Sequence, residues 1–260
     1  MIADKIDLKL IEQIARKAGD AIMEIYKTEF TVEMKENKSP LTEADKVSNK
    51  IILDELKLHY PAIPFISEET KAIEFSERKT WTHCWLIDPI DGTKEFIKKN
   101  GEFTVNIALV ENGKPTLGVV LAPALKKMWS AKSGEGCFKI NELGERIQLK
   151  KGVEFSRLNK VRVIGSRSHM STETESFIQQ LKSEGKEIDF VSAGSSIKFC
   201  LLADGSADVY PRYAPTMEWD TAAGQAVLEI AGGVVNEAGT LKHLCYNKEN
   251  LLNPFFLASW

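Results

Sequence analysis

The sequence of 260 residues predicts a mixed α/β protein built as two lobes. Two helical patterns open the chain, and short apolar runs separated by turn signals follow, which is typical of helices packed on a mostly antiparallel sheet. After a polar, charged segment at 150–160, apolar runs alternate with helical patterns, which favours a second α/β lobe. We therefore expect an N-terminal lobe at 1–155 and a C-terminal lobe at 156–260.

The composition is that of an ordinary globular enzyme. Apolar residues make up 43% of the chain, charged residues 27%, and the net charge is −3, which argues against general nucleic-acid binding. No apolar run reaches the roughly 20 residues of a membrane-spanning helix, and the N-terminus lacks a signal-peptide pattern, so we expect a cytoplasmic location. The four cysteines are widely spaced without a Cys-x-x-Cys pair, so neither a zinc site nor a redox pair is indicated.

The first lobe begins with two predicted helices. Apolar residues recur at helical spacing over residues 7–27, which predicts an amphipathic helix. Thr42 can cap a second helix that runs to about Leu58, and Asp45 falls at its third position, where a carboxylate can complete a capping box. Asp45 can also be interpreted as a carboxylate that faces a catalytic loop, and the sequence leaves both interpretations open.

The most informative stretch is the sequence Asp-Pro-Ile-Asp-Gly-Thr at 88–93. The apolar run at 84–87 predicts a buried strand, and the proline, which has no N–H, is expected to end that strand at Asp88. Asp91 and the following glycine form a turn pair, so two carboxylates and the Thr93 hydroxyl share one tight loop. Hard oxygen ligands of this kind suit Mg²⁺, which commonly accompanies phosphate chemistry. A solvated turn is the alternative interpretation.

Two further carboxylates lie at the ends of predicted elements. Glu68 follows a short strand at 65–66, and Asp220 lies at the start of a helix that runs to about Ala231, where the helix dipole favours negative charge. An exposed loop glutamate and a plain helix cap are the alternatives.

Together these groups predict a metal-dependent phosphoryl-transfer site. The carboxylates could hold two Mg²⁺ ions about 3.5–4 Å apart, the arrangement used for in-line displacement at phosphorus. Asp45 and Thr93 could then orient or deprotonate the attacking water. The carboxylates concerned are Glu68, Asp88, Asp91 and Asp220.

The second lobe carries candidates for binding a second, non-scissile phosphate. Ser195 lies in a Gly-Ser-Ser turn between a predicted strand and a predicted helix, where backbone N–H groups can bind an anion. Lys198 and Arg212 can supply positive charge, and His169 lies in another loop that follows a strand. Taken singly, each of these residues could equally be a solvated surface group.

Several motifs in register resemble the inositol monophosphatase superfamily of Mg²⁺-dependent, Li⁺-sensitive phosphomonoesterases. The motifs of the superfamily are Asp88-Pro89-Ile90-Asp91-Gly92-Thr93, Trp219-Asp220-x-Ala222-Ala223-Gly224 and Glu68-Glu69. Further motifs are similar to those of bacterial CysQ-type 3′(2′),5′-bisphosphate nucleotidases, and together they cover nearly the whole chain in the same order. These motifs lie at 93–98, 100–109, 166–169, 194–200 and 210–212.

The resemblance implies a layered αβαβα sandwich of the sugar-phosphatase type and a cofactor of two or three Mg²⁺ ions. It implies hydrolysis of adenosine 3′,5′-bisphosphate to AMP and phosphate, with 3′-phosphoadenylyl sulfate as a second substrate, in clearing a by-product of sulfate assimilation. It is compatible with a monomer or a homodimer, and some relatives are peripheral at the inner membrane.

The resemblance also implies a role for each matching position. The implied metal ligands are Glu68, Asp88, Asp91, Asp220 and the backbone carbonyl of Ile90. Asp45 and Thr93 would activate the water, and His169, Ser195, Lys198 and Arg212 would hold the nucleotide. The implied substrate-contacting set is Glu68, Ile90, Asp91, Gly92, Thr93, His169, Ser195, Lys198, Arg212 and Asp220.

Two alternative functions stay open at this stage. An inositol or sugar phosphate phosphatase of the same superfamily would keep the metal carboxylates and need no nucleotide clamp. A non-catalytic nucleotide-binding regulator is a different class of protein. It would be expected to have lost a metal ligand or the base, whereas all of these groups are present here.

Overall fold

The computed structural model describes residues 1–34, 40–71, 73–166 and 170–260. The helices are α1 (Leu8–Tyr26), α2 (Glu43–His59), α3 (Phe75–Arg78), α4 (Thr93–Ile97), α5 (Thr172–Ser183), α6 (Ile197–Ala203) and α7 (Glu218–Ala231), with 3₁₀ turns at Ala3–Lys5 and Phe155–Arg157. The strands are β1 (Val32–Met34), β2 (Pro40–Thr42), β3 (Phe65–Ser67), β4 (His83–Asp91), β5 (Thr104–Glu111), β6 (Lys114–Ala122), β7 (Lys127–Lys132), β8 (Gly136–Ile140), β9 (Arg146–Gln148), β10 (Lys160–Gly165), β11 (Glu187–Ser192), β12 (Val209–Arg212), β13 (Val234–Glu237) and β14 (Phe256–Ser259).

Two large sheets and three groups of helices alternate as layers. Strands β3 to β9 form one sheet in sequence order, and the other sheet has the order β11-β10-β12-β14-β13. Helices α1 and α2 cover one face of the first sheet, α6 and α7 lie between the sheets, and α5 packs on the outer face of the second. The predicted αβαβα sandwich is confirmed.

The core between the two sheets joins the two predicted lobes. Helix α7 packs on strands of the first sheet, and Gly118 of β6 lies against the backbone of Ala223. One apolar cluster there contains Trp129 of the first sheet together with Phe199 and Phe256 of the second half. The lobe boundary at 155/156 stays a prediction, because one continuous core spans it.

The two N-terminal helices form where the sequence predicts them. The Asp7 side chain accepts a hydrogen bond from the Lys9 N–H at 2.9 Å and so caps α1. The predicted capping box of α2 is present, since the Thr42 N–H donates to Asp45 Oδ2 at 2.7 Å. Both caps satisfy N–H groups that a helix start leaves without partners.

Strand β4 differs from its predicted end. It does not stop at Asp88 but continues to Asp91, and its register against β5 shifts between these two residues. A shift of this kind is a bulge, and Pro89 falls within it, where a missing N–H breaks no ladder hydrogen bond. The bulge places two carboxylates on one strand end instead of on a free loop.

The antiparallel part of the first sheet is confirmed, and so is the hairpin turn that the sequence Asn112-Gly113 predicts. Asn112 and Gly113 have φ values of +50° and +77°, which a two-residue turn between twisted strands requires. Strands β5 to β9 pair antiparallel in sequence order, whereas β3 and β4 pair parallel. This parallel pair places Ser67, at the end of β3, beside Ile87, the residue before Asp88 on β4.

The sequence also predicts a helix from Thr172 to about Lys182 that is capped by Thr172, and this cap is wrong. Helix α5 is capped by Ser171, whose side chain accepts from the Thr174 N–H at 3.2 Å, and not by Thr172. The sequence also predicts an irregular surface excursion over 70–82; its described residues are exposed or half-buried apart from Arg78, but the segment contains the helical turn α3. Arg78 is buried because it donates to Asn247 and to the Lys248 carbonyl oxygen, contacts too distant in sequence to predict.

Candidate active site

Three elements bring the predicted carboxylates to one place. The Glu68 N–H donates to the Ile87 carbonyl oxygen at 3.2 Å, so the parallel pair of β3 and β4 sets Glu68 beside Asp88. The Asp88 carboxyl makes a side-chain hydrogen bond with Glu68 and lies within electrostatic range of Asp91 and Asp220. The start of α7 supplies Asp220 to this cluster.

Burial and mutual repulsion control the charge of these groups. Burial raises the pKa of the Asp88 carboxyl well above its usual range, and the neighbouring charges of Glu68 and Asp91 raise it further. Burial and the charge of Asp91 likewise raise the pKa of Asp220 well above its usual range. Burial also raises the pKa of Asp91, although nearby Lys198 opposes this effect.

Three of the four carboxylates also accept a hydrogen bond from a backbone N–H or a hydroxyl group. Asp88 Oδ1 accepts from the Ile90 N–H at 3.1 Å, Asp91 Oδ2 accepts from the Ser196 hydroxyl at 2.7 Å, and Asp220 Oδ2 accepts from the Met217 N–H at 2.8 Å. Asp220 is thus the third residue of α7 and not its cap. In the described part of the chain, no group of three or more His, Cys, Asp or Glu side chains is arranged so that it could hold a metal ion.

The chemistry of the donor set fits a hard divalent cation. Several buried carboxylates that raise one another's pKa carry unfavourable repulsion, and a cation between them would remove it. Each carboxylate has about four lone-pair positions, so one hydrogen bond leaves room for a metal. The assignment of Glu68, Asp88, Asp91, Asp220 and the Ile90 carbonyl as ligands stays a prediction with this physical support.

Asp45 and Thr93 form a second unit beside the carboxylates. Thr93 Oγ1 donates to Asp45 Oδ1 at 3.3 Å and also lies 3.4 Å from the Ile90 carbonyl oxygen. The other oxygen of Asp45 accepts from the Thr42 N–H and hydroxyl. Asp45 therefore performs the capping role and also reaches the threonine, so both interpretations of this residue hold structurally.

Gly92 allows the chain to leave β4 at this point. Its φ of +94° lies in the left-handed region, and a Cβ on it would meet the Glu102 carbonyl oxygen at 3.2 Å. Glycine adopts this conformation without steric penalty. The turn aims Thr93 back toward Asp45 as α4 begins.

A cleft of about 340 Å³ opens beside the cluster. Six of the predicted site residues line it, namely Asp91, Gly92, Ser195, Lys198, Arg212 and Asp220. Other lining residues include Lys94, Glu95, Ser166 and Tyr210. The cations Lys198 and Arg212 can attract one phosphate to this cleft, whereas the carboxylates Asp91 and Asp220 would need a cation between them and a second phosphate.

Lys198 is a buried cation in this cleft. Its side chain is 5% exposed, and its Nζ donates to the Ser195 carbonyl oxygen at 2.6 Å. Burial lowers the pKa of Lys198 to about 8, against the opposing charge of Asp91, and Arg212 lowers it further. A phosphate bound there would restore a full positive charge.

The residues predicted to hold the nucleotide, here called the nucleotide clamp, are His169, Ser195, Lys198 and Arg212. Two of their polar atoms have no protein partner within the described ranges. The Nε of Arg212 and the hydroxyl oxygen of Ser195 are buried and form no hydrogen bond there. Ser195 has a φ of +45°, an uncommon value for a residue with a side chain. Unpaired buried donors and strained backbone are features that a bound anion can explain.

Some predictions cannot be placed, and some residues were missed. His169 lies outside the described residues, and so does all but Pro40 of the polar segment 35–40, which the sequence predicts to be a mobile loop and a candidate lid. Ser196 was named only as part of a turn, and Asn106 was given no role, because their contacts join residues far apart in sequence. Lys94 directly follows Thr93, and its position in the motif could have identified it as a lining residue.

Over the residues that the structure covers, no helix is both long enough and apolar enough to cross a membrane. All four cysteines are free, and Cys84, Cys137 and Cys200 are buried. Burial raises the pKa of the Cys84 and Cys137 thiols to about 12, so these thiols stay protonated at neutral pH.

Comparison with known proteins identifies the fold and the family. A CysQ structure from Bacteroides thetaiotaomicron superposes with a TM-score of 0.84 at 41% identity, covering 97% of this chain and 96% of that one. An IMPase of Thermotoga maritima gives a TM-score of 0.75 at 27% identity, covering 98% and 92%.

Curated relatives extend this similarity along the chain. The 3′(2′),5′-bisphosphate nucleotidase CysQ of Salmonella typhimurium is 44% identical over 252 residues, which are 96% of this chain and 98% of that protein. The protein of the same name from Escherichia coli K12 is also 44% identical, over 95% of this chain and 97% of that protein. The inositol monophosphatase family model matches residues 6–254, and the chain therefore belongs to the inositol monophosphatase family.

Proposed function

We propose that this protein is a Mg²⁺-dependent 3′(2′),5′-bisphosphate nucleotidase. It hydrolyses adenosine 3′,5′-bisphosphate to AMP and phosphate, and 3′-phosphoadenylyl sulfate to adenylyl sulfate, in clearing a by-product of sulfate assimilation. The observation that carries the proposal is the shared cleft, in which Lys198 and Arg212 face the carboxylates Asp91 and Asp220. Similarity over nearly the whole length to nucleotidases of this name gives independent support.

The attacking water is activated by the pair of Asp45 and Thr93. The threonine hydroxyl donates toward Asp45 Oδ1, so its oxygen lone pairs are available to a water proton. As that water attacks phosphorus, its proton passes to the threonine oxygen while the threonine proton passes to Asp45. The bond between phosphorus and the nucleoside oxygen breaks, and the leaving oxygen takes a proton from solvent.

The metal site is assigned to Glu68, Asp88, Asp91, Asp220 and the Ile90 carbonyl, with two or three Mg²⁺ ions. When bound, Mg²⁺ supplies positive charge to the phosphate oxygens and makes a coordinated water more acidic. The protein residues hold the scissile phosphate in position through the N–H groups at Gly92 and Thr93, where α4 begins.

The nucleotide is held by its second phosphate. Lys198 and Arg212 provide charge-assisted hydrogen bonds, and the Nε of Arg212, which has no partner among the described residues, is one available donor. Ser195 and His169 complete the proposed clamp. Inositol 1-phosphate lacks a second phosphate, so it leaves these cations unpaired and binds less well.

A substrate panel tests the proposal. Phosphate release is measured under Mg²⁺ with adenosine 3′,5′-bisphosphate, 3′-phosphoadenylyl sulfate and inositol 1-phosphate, each with and without millimolar Li⁺. We expect the highest kcat/KM for adenosine 3′,5′-bisphosphate and inhibition by Li⁺. Equal or reversed preference would assign the chain to the inositol or sugar phosphatases, and no turnover of any substrate would favour a binding protein.

The cellular setting is part of the same proposal. We place the enzyme in the cytoplasm as a monomer or a homodimer. Fractionation and a sedimentation measurement on the purified protein check these two predictions.

A further inference from the structure

Ser196 lies where three distant parts of the chain meet. Its side chain is buried, and its hydroxyl oxygen is 2.7 Å from Asp91 Oδ2 and 2.6 Å from the backbone carbonyl oxygen of Asp220. One hydroxyl thus contacts a proposed metal ligand on β4 and the residue that supplies another on α7. Ser196 itself precedes α6, next to the nucleotide clamp.

Asn106 controls the direction of that hydroxyl. This residue is fully buried on β5, and its Nδ2 donates to the Ser196 oxygen at 2.9 Å. An amide NH₂ only donates, so the serine oxygen accepts here and its single proton points to the other side. The proton is then shared between Asp91 and the Asp220 carbonyl oxygen as a three-centre bond.

The register of the sheet places Asn106 beside the carboxylates. Asn106 is the direct cross-strand partner of Asp88, so the two side chains lie on one face of the sheet. Its Oδ1 is buried and has no hydrogen-bond partner among the described residues. A buried amide oxygen at this position can accept a hydrogen bond from a water bound in the carboxylate cluster.

We propose that Asn106 and Ser196 are positioning residues for the metal ligands, a role that rests on the proposed function. Asn106 fixes the hydroxyl of Ser196, and that hydroxyl fixes one oxygen of Asp91, which leaves the second oxygen aimed at the cation. The same hydroxyl ties the start of α7 to the turn before α6. The nucleotide clamp and the metal ligands are therefore held in one geometry by a single hydrogen-bonded chain.

The test measures cation binding without substrate. Mg²⁺ affinity is determined by calorimetric titration for wild type, S196A and N106A. Loss of a hydrogen bond to a metal-ligating group typically weakens metal affinity about 10–100-fold, and we expect a loss in this range for both variants. Ser196 and Asn106 lie on different elements but belong to the same series of hydrogen bonds. If one of the two variants does not fold, the other still tests the proposal.

S130A is the matched control. Ser130 is also fully buried, and its hydroxyl also donates to a carboxylate oxygen, that of Glu12, at 2.5 Å. This pair joins β7 to α1 and does not line the cleft. S130A should lose stability while its Mg²⁺ affinity matches wild type, which separates a general packing effect from a metal-positioning effect.

Two further measurements distinguish a metal-positioning role of Ser196 and Asn106 from a purely structural role. Excess Mg²⁺ should restore most of the kcat of S196A, because the substitution weakens Mg²⁺ binding and leaves the fold intact. The double variant should lose no more affinity than the weaker-binding single variant, since Asn106 acts through Ser196. Additive losses, or wild-type affinity in both single variants, would overturn the proposal.

Failure of the proposed positioning role can be distinguished from failure of the proposed nucleotidase activity. A protein that binds Mg²⁺ through this chain but prefers inositol 1-phosphate would reject the nucleotide assignment and keep the positioning role. A wild-type protein without measurable Mg²⁺ binding would overturn both.

Discussion

Replacing Lys198 by methionine tests the nucleotide clamp through its pH dependence. The side chain keeps its length but loses the charge that the cleft holds beside Arg212. A hydrogen bond to a charged group contributes about 1.5–3 kcal/mol, which corresponds to an increase of roughly 10–150-fold in KM. We expect kcat to change much less, because we assign this cation to the phosphate that does not react.

The wild-type enzyme should lose affinity as the pH rises through the pKa of Lys198. That pKa is lowered to about 8 by burial, so the lysine is about 90% protonated at pH 7 and about 10% at pH 9. The phosphate groups of the substrate, with a second pKa near 6, stay doubly charged over this range. The contribution of Lys198 to kcat/KM should therefore fall about tenfold between pH 7 and pH 9.

The assay is kcat/KM for adenosine 3′,5′-bisphosphate at several pH values, compared between wild type and K198M. The kcat/KM of wild type divided by that of K198M should fall about tenfold from pH 7 to pH 9, as the wild-type lysine loses its proton. K132M is the control, because Lys132 is a buried lysine that donates to the Ile6 carbonyl oxygen outside the cleft. A ratio that stays constant with pH, or a wild-type KM in K198M, would refute the role of this lysine.

The free energy of unfolding should also depend on the pKa of Lys198, but it should rise with pH, whereas the affinity for substrate falls. Between about pH 8 and 10.5 the folded protein binds fewer protons at Lys198 than the unfolded chain. The free energy of unfolding therefore rises with pH across this window. K198M should lack this rise, which chemical denaturation at two pH values can measure.

Three other substitutions test separate parts of the site. D91N should lower kcat/KM by more than about 100-fold, while the melting temperature without divalent cations should not fall, because one buried like charge is removed; phosphate release and calorimetry check this. G194A should raise KM and cost about 1–3 kcal/mol of stability, because the new Cβ would lie 2.8 Å from the Glu102 carbonyl oxygen. K248M should lower the free energy of unfolding in urea by about 3–5 kcal/mol, because it leaves the carboxylate of Glu218, 2.6 Å from Lys248 Nζ, buried without its cation.

Local signals predict the elements that depend on local physics. The capping box of Thr42 and Asp45 involves residues three positions apart, so the sequence contains everything needed to predict it. The Asn112-Gly113 turn is predicted for the same reason, because positive φ values at both residues are a local requirement. In both cases the structure confirms the element.

Contacts between distant residues explain what the sequence could not predict. The end of β4 depends on its pairing with β5, which accommodates Pro89 in a bulge. The contacts of Ser196 with Asp91 and Asn106 span 105 and 90 residues, and no local pattern indicates such partners. The roles of the carboxylates stay a prediction that rests on the motifs, whereas their proximity to one another is seen only in the fold.

The two interpretations that the sequence left open for Asp45 turn out to depend on each other. A base must hold one geometry, and a side chain with free rotation would not. The capping contacts with Thr42 fix Oδ2 at the start of α2, and this leaves Oδ1 as the oxygen that reaches Thr93. The capping contacts would therefore position Asp45 for the catalytic role that we propose, so the cap does not argue against that role.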